Sequence, residues 1–300
     1  MPKVLKWLGI AAGSIVVLLV ILLGVVYALS SSRMNRSYSV VPGPYTIPTD
    51  SASLARGEHL VVIAKCADCH GDDMAGKVVV DDPNLGRVVG PNLTRGRGGI
   101  GGALSDADWA RAIRGGVGRS GKPLPIMPAE AYTYLGAADL GQIVAYAKSR
   151  PPVDRELSPT HLKLLARVLL VTGQLPIYPA EYIDPAAPPP VAPAPDSTKE
   201  YGKYLADIGG CTGCHGPGLS GGHIKGTPPD WRPASNISPG GIGSWSESDF
   251  VLALREGKRR NGTAIDTLMP WKYTKVMTDA EIHALWQFVR SVPAKPFGGR

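Results

Sequence analysis

Apolar and polar positions follow one another differently in three stretches of the chain. In the first, Trp7 to Leu29 is almost wholly apolar, and no charge appears between Lys6 and Arg33. About 20 helical residues at about 1.5 Å each cross the hydrocarbon layer of a bilayer. The pattern therefore predicts one transmembrane helix. A cleaved signal peptide has an apolar core of only about 7–15 residues. Ala28-Leu29-Ser30 would make a weak cleavage site, but the length of the run favours an uncleaved anchor over residues 1–32. Lys3 and Lys6 favour an inside position for the front end, whereas Arg33 and Arg36 just past the span blur that rule.

The second pattern is periodic, and it occurs twice. Cys66-Ala67-Asp68-Cys69-His70 returns 145 residues later as Cys211-Thr212-Gly213-Cys214-His215, and Gly57 returns as Gly202 at the same offset. Leu104 to Trp109 pairs with Trp245 to Phe250, Arg114 with Arg255, and Met127-Pro128 with Met269-Pro270. Asp139 to Pro151 pairs with Glu281 to Pro293. Near-constant offsets over such a length mean two copies of one domain. The copies are set at residues 50–153 and 196–297.

Within each copy the periodicity is helical. Leu54 to Lys65 and Lys199 to Ile208 read as helices leading into the cysteine motifs. Ser105-x-x-Asp108, Ser246-x-x-Asp249 and Thr278-x-x-Glu281 are helix-start signals. Asp139 to Ser149 and Asp279 to Ser291 close each copy shortly before a proline. Strand patterns are scarce, so the expected class is all-α with glycine-rich loops.

The third stretch, residues 154–195, joins the copies. Pro159 to Thr172 has helical spacing, with Leu162, Leu165, Val168 and Leu169 on one side and Lys163 and Arg167 elsewhere. Such a helix packs across the domains or lies on a membrane surface; its few basic residues favour packing. Pro185 to Pro195 is a polyproline-type spacer, extended and semi-rigid.

Composition narrows the classes further. Hydrophobic residues at 44% with only 19% charged exclude a disordered chain. With 37 glycines and 28 prolines the chain is loop-rich and no coiled coil. Aromatics at 7% are thin for two ordinary cores. Four cysteines in 300 residues exclude a disulfide-stapled miniprotein.

Those cysteines all lie in Cys-x-x-Cys-His, the attachment signature of c-type haem. On a helical turn, cysteines at i and i+3 share one face and reach the two haem vinyl groups, while histidine at i+4 faces the iron. Chance would give on the order of 0.001 such matches in a chain of this make-up. A redox Cys-x-x-Cys pair or half a zinc site needs no trailing histidine, and no βαβ pattern surrounds either copy. The expectation is two covalently attached haem c groups with iron, held by Cys66, Cys69, Cys211 and Cys214, with His70 and His215 as proximal ligands. A large apolar macrocycle also replaces the missing aromatic side chains in domains of marginal size.

A distal ligand has to come from a distant loop. Met74 is too close in chain to His70, and Met277 has no counterpart in the first copy. Met127 and Met269 match each other in the repeat, and each precedes a proline that holds the loop extended. They are the candidate sixth ligands. His59, His161, His223 and His283 are assigned to surface or packing. His/Met ligation raises the reduction potential and fills both axial positions. That favours an electron carrier over an enzyme. A dihaem peroxidase or a haem-based sensor, the alternatives, would need an open coordination position.

Each copy resembles a class I cytochrome c domain. The arrangement is similar to the membrane-anchored cytochrome c subunits of bacterial alcohol, aldehyde and gluconate dehydrogenases. The matching segments are Arg56 to Leu60, Gly90-Pro91-Asn92-Leu93-Thr94, Gly241 to Asp249, Leu268-Met269-Pro270-Trp271 and Ser291-Val292-Pro293. Those subunits usually carry three haem domains, and this chain has two. The resemblance implies that the Pro91 carbonyl accepts a bond from the proximal histidine. In the second copy, Pro233-Ala234-Ser235-Asn236 displaces the proline. It also implies that Asn92 and Asn236 hydrogen-bond a haem propionate or the methionine loop, ordinary loop-turn asparagines being the other reading. Trp109, Trp271, Tyr132 and Tyr273 either line the haem or pack, and Gly57 and Gly202 let the first and last helices cross closely.

The net charge is +7, with local basic groups at Arg111, Arg114 and Arg119 and at Arg255, Lys258, Arg259, Arg260, Lys272 and Lys275. They form either a solvated face or a dock for an acidic redox protein; nucleic acid is excluded as a partner outside the cytoplasm. The expected protein is thus a single-pass component of the bacterial inner (cytoplasmic) membrane with its haem domains on the periplasmic side. It would relay electrons from a periplasmic or membrane dehydrogenase or quinol donor to a terminal acceptor cytochrome or oxidase.

Overall fold

In the computed structural model every residue is described except Met1, Pro42, Pro189, Lys225, Pro229 and Arg300. Met1 of the expected anchor and Pro189 of the spacer therefore lie outside the described residues. Helix α1 runs Pro2–Met34. At 33 residues it is about 50 Å long, against about 30 Å of hydrocarbon, so it is long enough to span the hydrocarbon with its ends at or beyond the headgroups. It is long and apolar enough to cross a membrane, and only 6% of its most apolar window is buried.

The first copy contains α2 (Ser51–Ile63), α3 (Ala67–His70), strands β1 (Lys77–Asp82) and β2 (Gly86–Gly90), then α4 (Asp106–Gly115), α5 (Ala129–Tyr132) and α6 (Ala137–Ser149). The connector supplies β3 (His161–Leu162) and α7 (Leu164–Val171). The second copy contains α8 (Lys199–Ile208), α9 (Cys211–His215), α10 (Pro239–Ile242), α11 (Glu247–Glu256), α12 (Trp271–Thr274) and α13 (Asp279–Ser291). Ser105, Ser246 and Thr278 each close a full capping box, with Asp108, Asp249 and Glu281 as the reciprocal acceptors.

The chain is mostly helical, but it is not all-α. β1, β2 and β3 form an antiparallel sheet in that order, with Lys77 opposite Gly90, Arg87 opposite His161, and a bulge between Val78 and Val80. Three consecutive valines, Val78 to Val80, favour strand, and Asp82-Pro83-Asn84 turns the chain back. The expected connector helix is shorter than its periodicity suggested, because His161 and Leu162 pair with β2 and Lys163 becomes the residue before the first turn.

In each copy the first helix crosses the last at a glycine. A Cβ on Gly57 would lie 2.1 Å from the Gln142 carbonyl oxygen, and one on Gly202 would lie 1.9 Å from that of Ala284. No larger residue fits at either crossing. One hydrophobic cluster runs through both copies, from Leu60 and Trp109 to Tyr201, Leu205 and Phe288. A smaller one gathers Val88, Leu162, Ala166, Leu170 and Tyr178 beneath α7.

The two copies meet through positions equivalent in the repeat. His59 Nε2 lies 2.7 Å from Glu281 Oε2, and the corresponding Tyr204 hydroxyl donates to the corresponding Asp139. Arg56 donates to Glu281 at 3.0 Å and to the Tyr201 hydroxyl at 2.6 Å. Burial pushes the Glu281 carboxyl up. The hydrogen bonds from His59 and the Thr278 backbone, the His59 charge and the Arg56 hydrogen bond outweigh it, holding the group down at about 2.

Two predictions follow from these contacts. Gly202→Ala lowers the urea midpoint of the holoprotein, with a loss of about 1–3 kcal/mol from overpacking at a crossing that cannot open. Because Glu281 is held at about 2, below its ordinary 4.5, its stabilising contribution is complete above pH 4.5 and is lost as pH falls toward 2. Urea midpoints measured across that window therefore decline with acidity, and the decline is shallower in Glu281→Gln.

Candidate functional site

Each attachment motif follows directly from the first helix of its copy. The joint requires a left-handed residue: Gly210 at φ 69 in the second copy and Lys65 at φ 61 in the first. Glycine adopts this conformation without strain, whereas a lysine there costs about 1 kcal/mol. α3 and α9 then carry the cysteines on one turn, ending at His70 and His215, both buried.

The four cysteines are free of disulfides. Burial pushes the Cys66 thiol up to about 12, with Cys69 adding to it, and burial also raises Cys69 and Cys211. A redox-active Cys-x-x-Cys pair instead has a depressed thiol. Together with the trailing histidines, this environment suits neutral thiols that add across vinyl groups.

The histidines are oriented by backbone carbonyls. A carbonyl can only accept, so His70 Nδ1–H donates to the Pro91 oxygen at 3.0 Å and His215 Nδ1–H donates to the Ser235 oxygen at 2.7 Å. The proton on Nδ1 places the ring's lone pair on Nε2, the atom that would hold a metal, and the accepting carbonyl raises the basicity of the ring. Burial pushes His70 toward the neutral form such a ligand needs, against the Pro91 bond. In the second copy Ser235 takes the place expected of a proline, because a backbone carbonyl does not depend on its side chain.

Asn92 and Asn236 make the same pair of contacts in the two copies. Asn92 Nδ2 donates to the Val153 carbonyl at 2.8 Å, and its Oδ1 accepts from the backbone N–H and hydroxyl of Thr94. Asn236 repeats this with the Lys295 carbonyl at 2.8 Å and with Ser238. Both side chains stitch the loop beside the histidine's carbonyl to the tail beyond the last helix. These are the contacts of a loop-turn asparagine.

The methionine loops are near copies of one another. Pro128 has φ −78 and ψ 54, and Pro270 has φ −81 and ψ 52. The Met127 carbonyl accepts from Ala129 N at 2.7 Å and that of Met269 from Trp271 N at 2.8 Å. Ile126 before Met127 is left-handed at φ 52 and is tied to the connector through Ile177. Met74 and its repeat counterpart Leu219 are both buried and left-handed, so that position requires bulk and not sulfur.

A cavity of about 250 Å³ in the second copy has Cys211, Cys214, His215 and Met269 on its wall. The space in the first copy is about 40 Å³, walled by Cys66, His70 and Met127 together with Trp109 and Tyr132. Both donor sets fit a haem: two thiols, one oriented imidazole and one thioether in apolar surroundings. The buried Trp109 Nε1 has no partner and calls for an acceptor from the group; its counterpart Phe250 has no N–H to satisfy. Tyr273 lines the second cavity, whereas Trp271 packs over Gly257.

Sequence reasoning missed the contribution of one copy to the other's site. Ile63 and Lys65 of the first copy line the second cavity, with the Lys65 ammonium 3.2 Å from where a Gly210 Cβ would sit. The signal was the repeat itself, which opposes lysine to glycine at the one position where the motifs meet. Of the basic side chains read as a solvated face or a dock, Arg111 pairs with Asp108, Arg255 with Asp279 and Lys258 with Glu256 within their own copy, and Lys272 reaches across to Asp68 of the first copy.

Paired attachment turns with carbonyl-oriented histidines define c-type cytochrome domains. Residues 52–146 match the family described as cytochrome c oxidase, cbb3-type, subunit III, and residues 200–293 match cytochrome c. The chain is 29% identical over 83% of its length to the fructose dehydrogenase cytochrome subunit of Gluconobacter japonicus, covering 54% of that protein. It is 25% identical over 84% of its length to the cytochrome c subunit of the quinone-dependent alcohol dehydrogenase of Komagataeibacter europaeus, covering 58%. The gluconate 2-dehydrogenase cytochrome c subunit of Pantoea cypripedii is 27% identical over 82% of this chain, 61% of that subunit being covered. The chain thus spans somewhat over half the length of these relatives. It belongs to the cytochrome c proteins, with two domains of that family and two covalently bound haem c groups.

Lys65 provides the test of the shared wall. A cation beside a haem disfavours the ferric state, so Lys65→Gly, which suits the left-handed backbone, lowers the potential of the second haem by tens of millivolts. The first haem shifts less. Spectroelectrochemical titration of the two haems reads both values.

Proposed function

We propose that this chain is a tethered two-haem relay in which His70 with Met127, and His215 with Met269, fill the axial positions. The observation that carries the reading is the placement of each methionine on a cavity wall with its copy's histidine, together with Cys66 in the first copy and with Cys211 and Cys214 in the second. The haem iron, when bound, supplies a one-electron couple. The protein's own residues fix imidazole orientation through Pro91 and Ser235, keep water out with apolar walls, and hold both sites in one continuous core. With both axial positions closed, an electron passes and small oxidants do not bind.

The reading divides the chain into an anchor at 1–32, haem domains at 50–153 and 196–297, and a connector at 154–195. The cations that flank the span, Lys3 and Lys6 against Arg33 and Arg36, balance each other, and the periplasmic side is assigned to the domains because c-type haem attachment needs the extracytoplasmic side. The similarity to cytochrome subunits of fructose, alcohol and gluconate dehydrogenases supports a dehydrogenase as donor; a quinol as the other donor and a terminal cytochrome or oxidase as acceptor complete the proposal.

Met127→Ala and Met269→Ala test the axial assignment. Each substitution lowers the potential of its own haem, turns that haem partly high-spin and opens it to carbon monoxide, leaving the other haem low-spin. A redox titration with optical spectra checks this. Unchanged low-spin spectra in both variants remove the assignment, and high-spin iron with rapid peroxide turnover in the unaltered protein replaces the carrier with a peroxidase.

A further inference from the structure

The connector helix α7 is made of seven apolar residues and one arginine, Leu164-Leu165-Ala166-Arg167-Val168-Leu169-Leu170-Val171. One side buries Ala166 and Leu170 against Val88, Leu162 and Tyr178. The other side carries Leu164 and Leu165, 44% and 46% exposed, continued by half-buried Val168 and Leu169. A short surface helix in water presents a polar outer face; an apolar one requires an apolar neighbour.

The position of α7 identifies that neighbour. Arg167 turns away from the exposed leucines toward α1, donating to the hydroxyls of Ser30 at 2.9 Å and Ser31 at 3.2 Å, with its guanidinium 4.7 Å from the centre of the Tyr27 ring. From the other side, Arg33 donates to the Leu170 carbonyl and pairs with Glu181. α7 is therefore pinned beside Tyr27 to Arg33, where the exposed apolar surface of α1 gives out after Leu29. Tyrosine with an adjacent cation is the usual marker of the headgroup level.

We propose that the outer face of α7, centred on Leu164 and Leu165, is seated in the headgroup–acyl boundary of the same bilayer that α1 spans. The occupant of this face is lipid, because the face is continuous with the membrane-spanning helix and lies at its exit. The protein then touches the membrane at two places. Since β2 packs on α7 through Val88, the first haem domain is the one keyed to the surface. The inference rests on α1 crossing the membrane.

The test uses the full-length holoprotein in phosphatidylcholine–phosphatidylglycerol vesicles containing a phospholipid with a diazirine in its acyl chain. After photolysis, lipid adducts are mapped by peptide mass spectrometry. Adducts are expected on α1 and on residues 164–171, the latter at roughly tenfold the level of the exposed segment 194–198. The double substitution Leu164→Asp with Leu165→Asp removes the α7 adducts and leaves those on α1. Adducts on α1 with none on α7 above that segment overturn the inference while leaving the span intact. Absence of adducts from α1 overturns the span, and the inference with it.

Discussion

Everything in each haem domain hangs on the close crossing of its first and last helices. Gly57 and Gly202 let α2 and α8 come within backbone contact of α6 and α13, and each first helix then delivers its chain directly into a cysteine turn. The crossing sets where the attachment motif starts, and the left-handed residue after it sets the direction the motif faces. The histidine, the carbonyl that orients it and the methionine loop are arranged around that fixed corner. A methyl group at the crossing would displace the corner itself, which is why a residue with no chemistry of its own governs the site.

The two domains are alike in construction and unlike in detail, and some of the differences lie where they touch. Position 65 is lysine and its counterpart glycine; position 109 is tryptophan and its counterpart phenylalanine; His59 answers Tyr204 across the interface. The ion pair of Glu281 with Arg56 and His59 lies among these unlike positions and is nearly buried. Such a pair holds well only in one arrangement, since removing either partner strands a charge. The interface therefore fixes the mutual placement of the sites as well as adding area.

Much of this was legible in the sequence because the signals were repeated. A motif that occurs once needs an argument against chance; the same motif at a constant offset carries its helices, caps and methionine loop with it. Cys66 and Cys211, the capping boxes and the glycine crossings were all readable in this way. The β hairpin was not, because it exists in one copy only and rests on a six-residue run. Ser235 escaped notice because a carbonyl orients an imidazole whatever side chain it carries. The asparagines' tail contacts were not legible, since sequence shows a polar side chain without showing that the tail 61 or 59 residues downstream comes back to meet it.

Those asparagine stitches bear on how each domain closes. The residue beside each histidine-orienting carbonyl is tied to Val153 or Lys295, the final stretch of its domain. Each cysteine turn precedes that stretch by more than eighty residues in the chain, so the fastening forms only when the end of the domain folds back onto the loop beside the histidine.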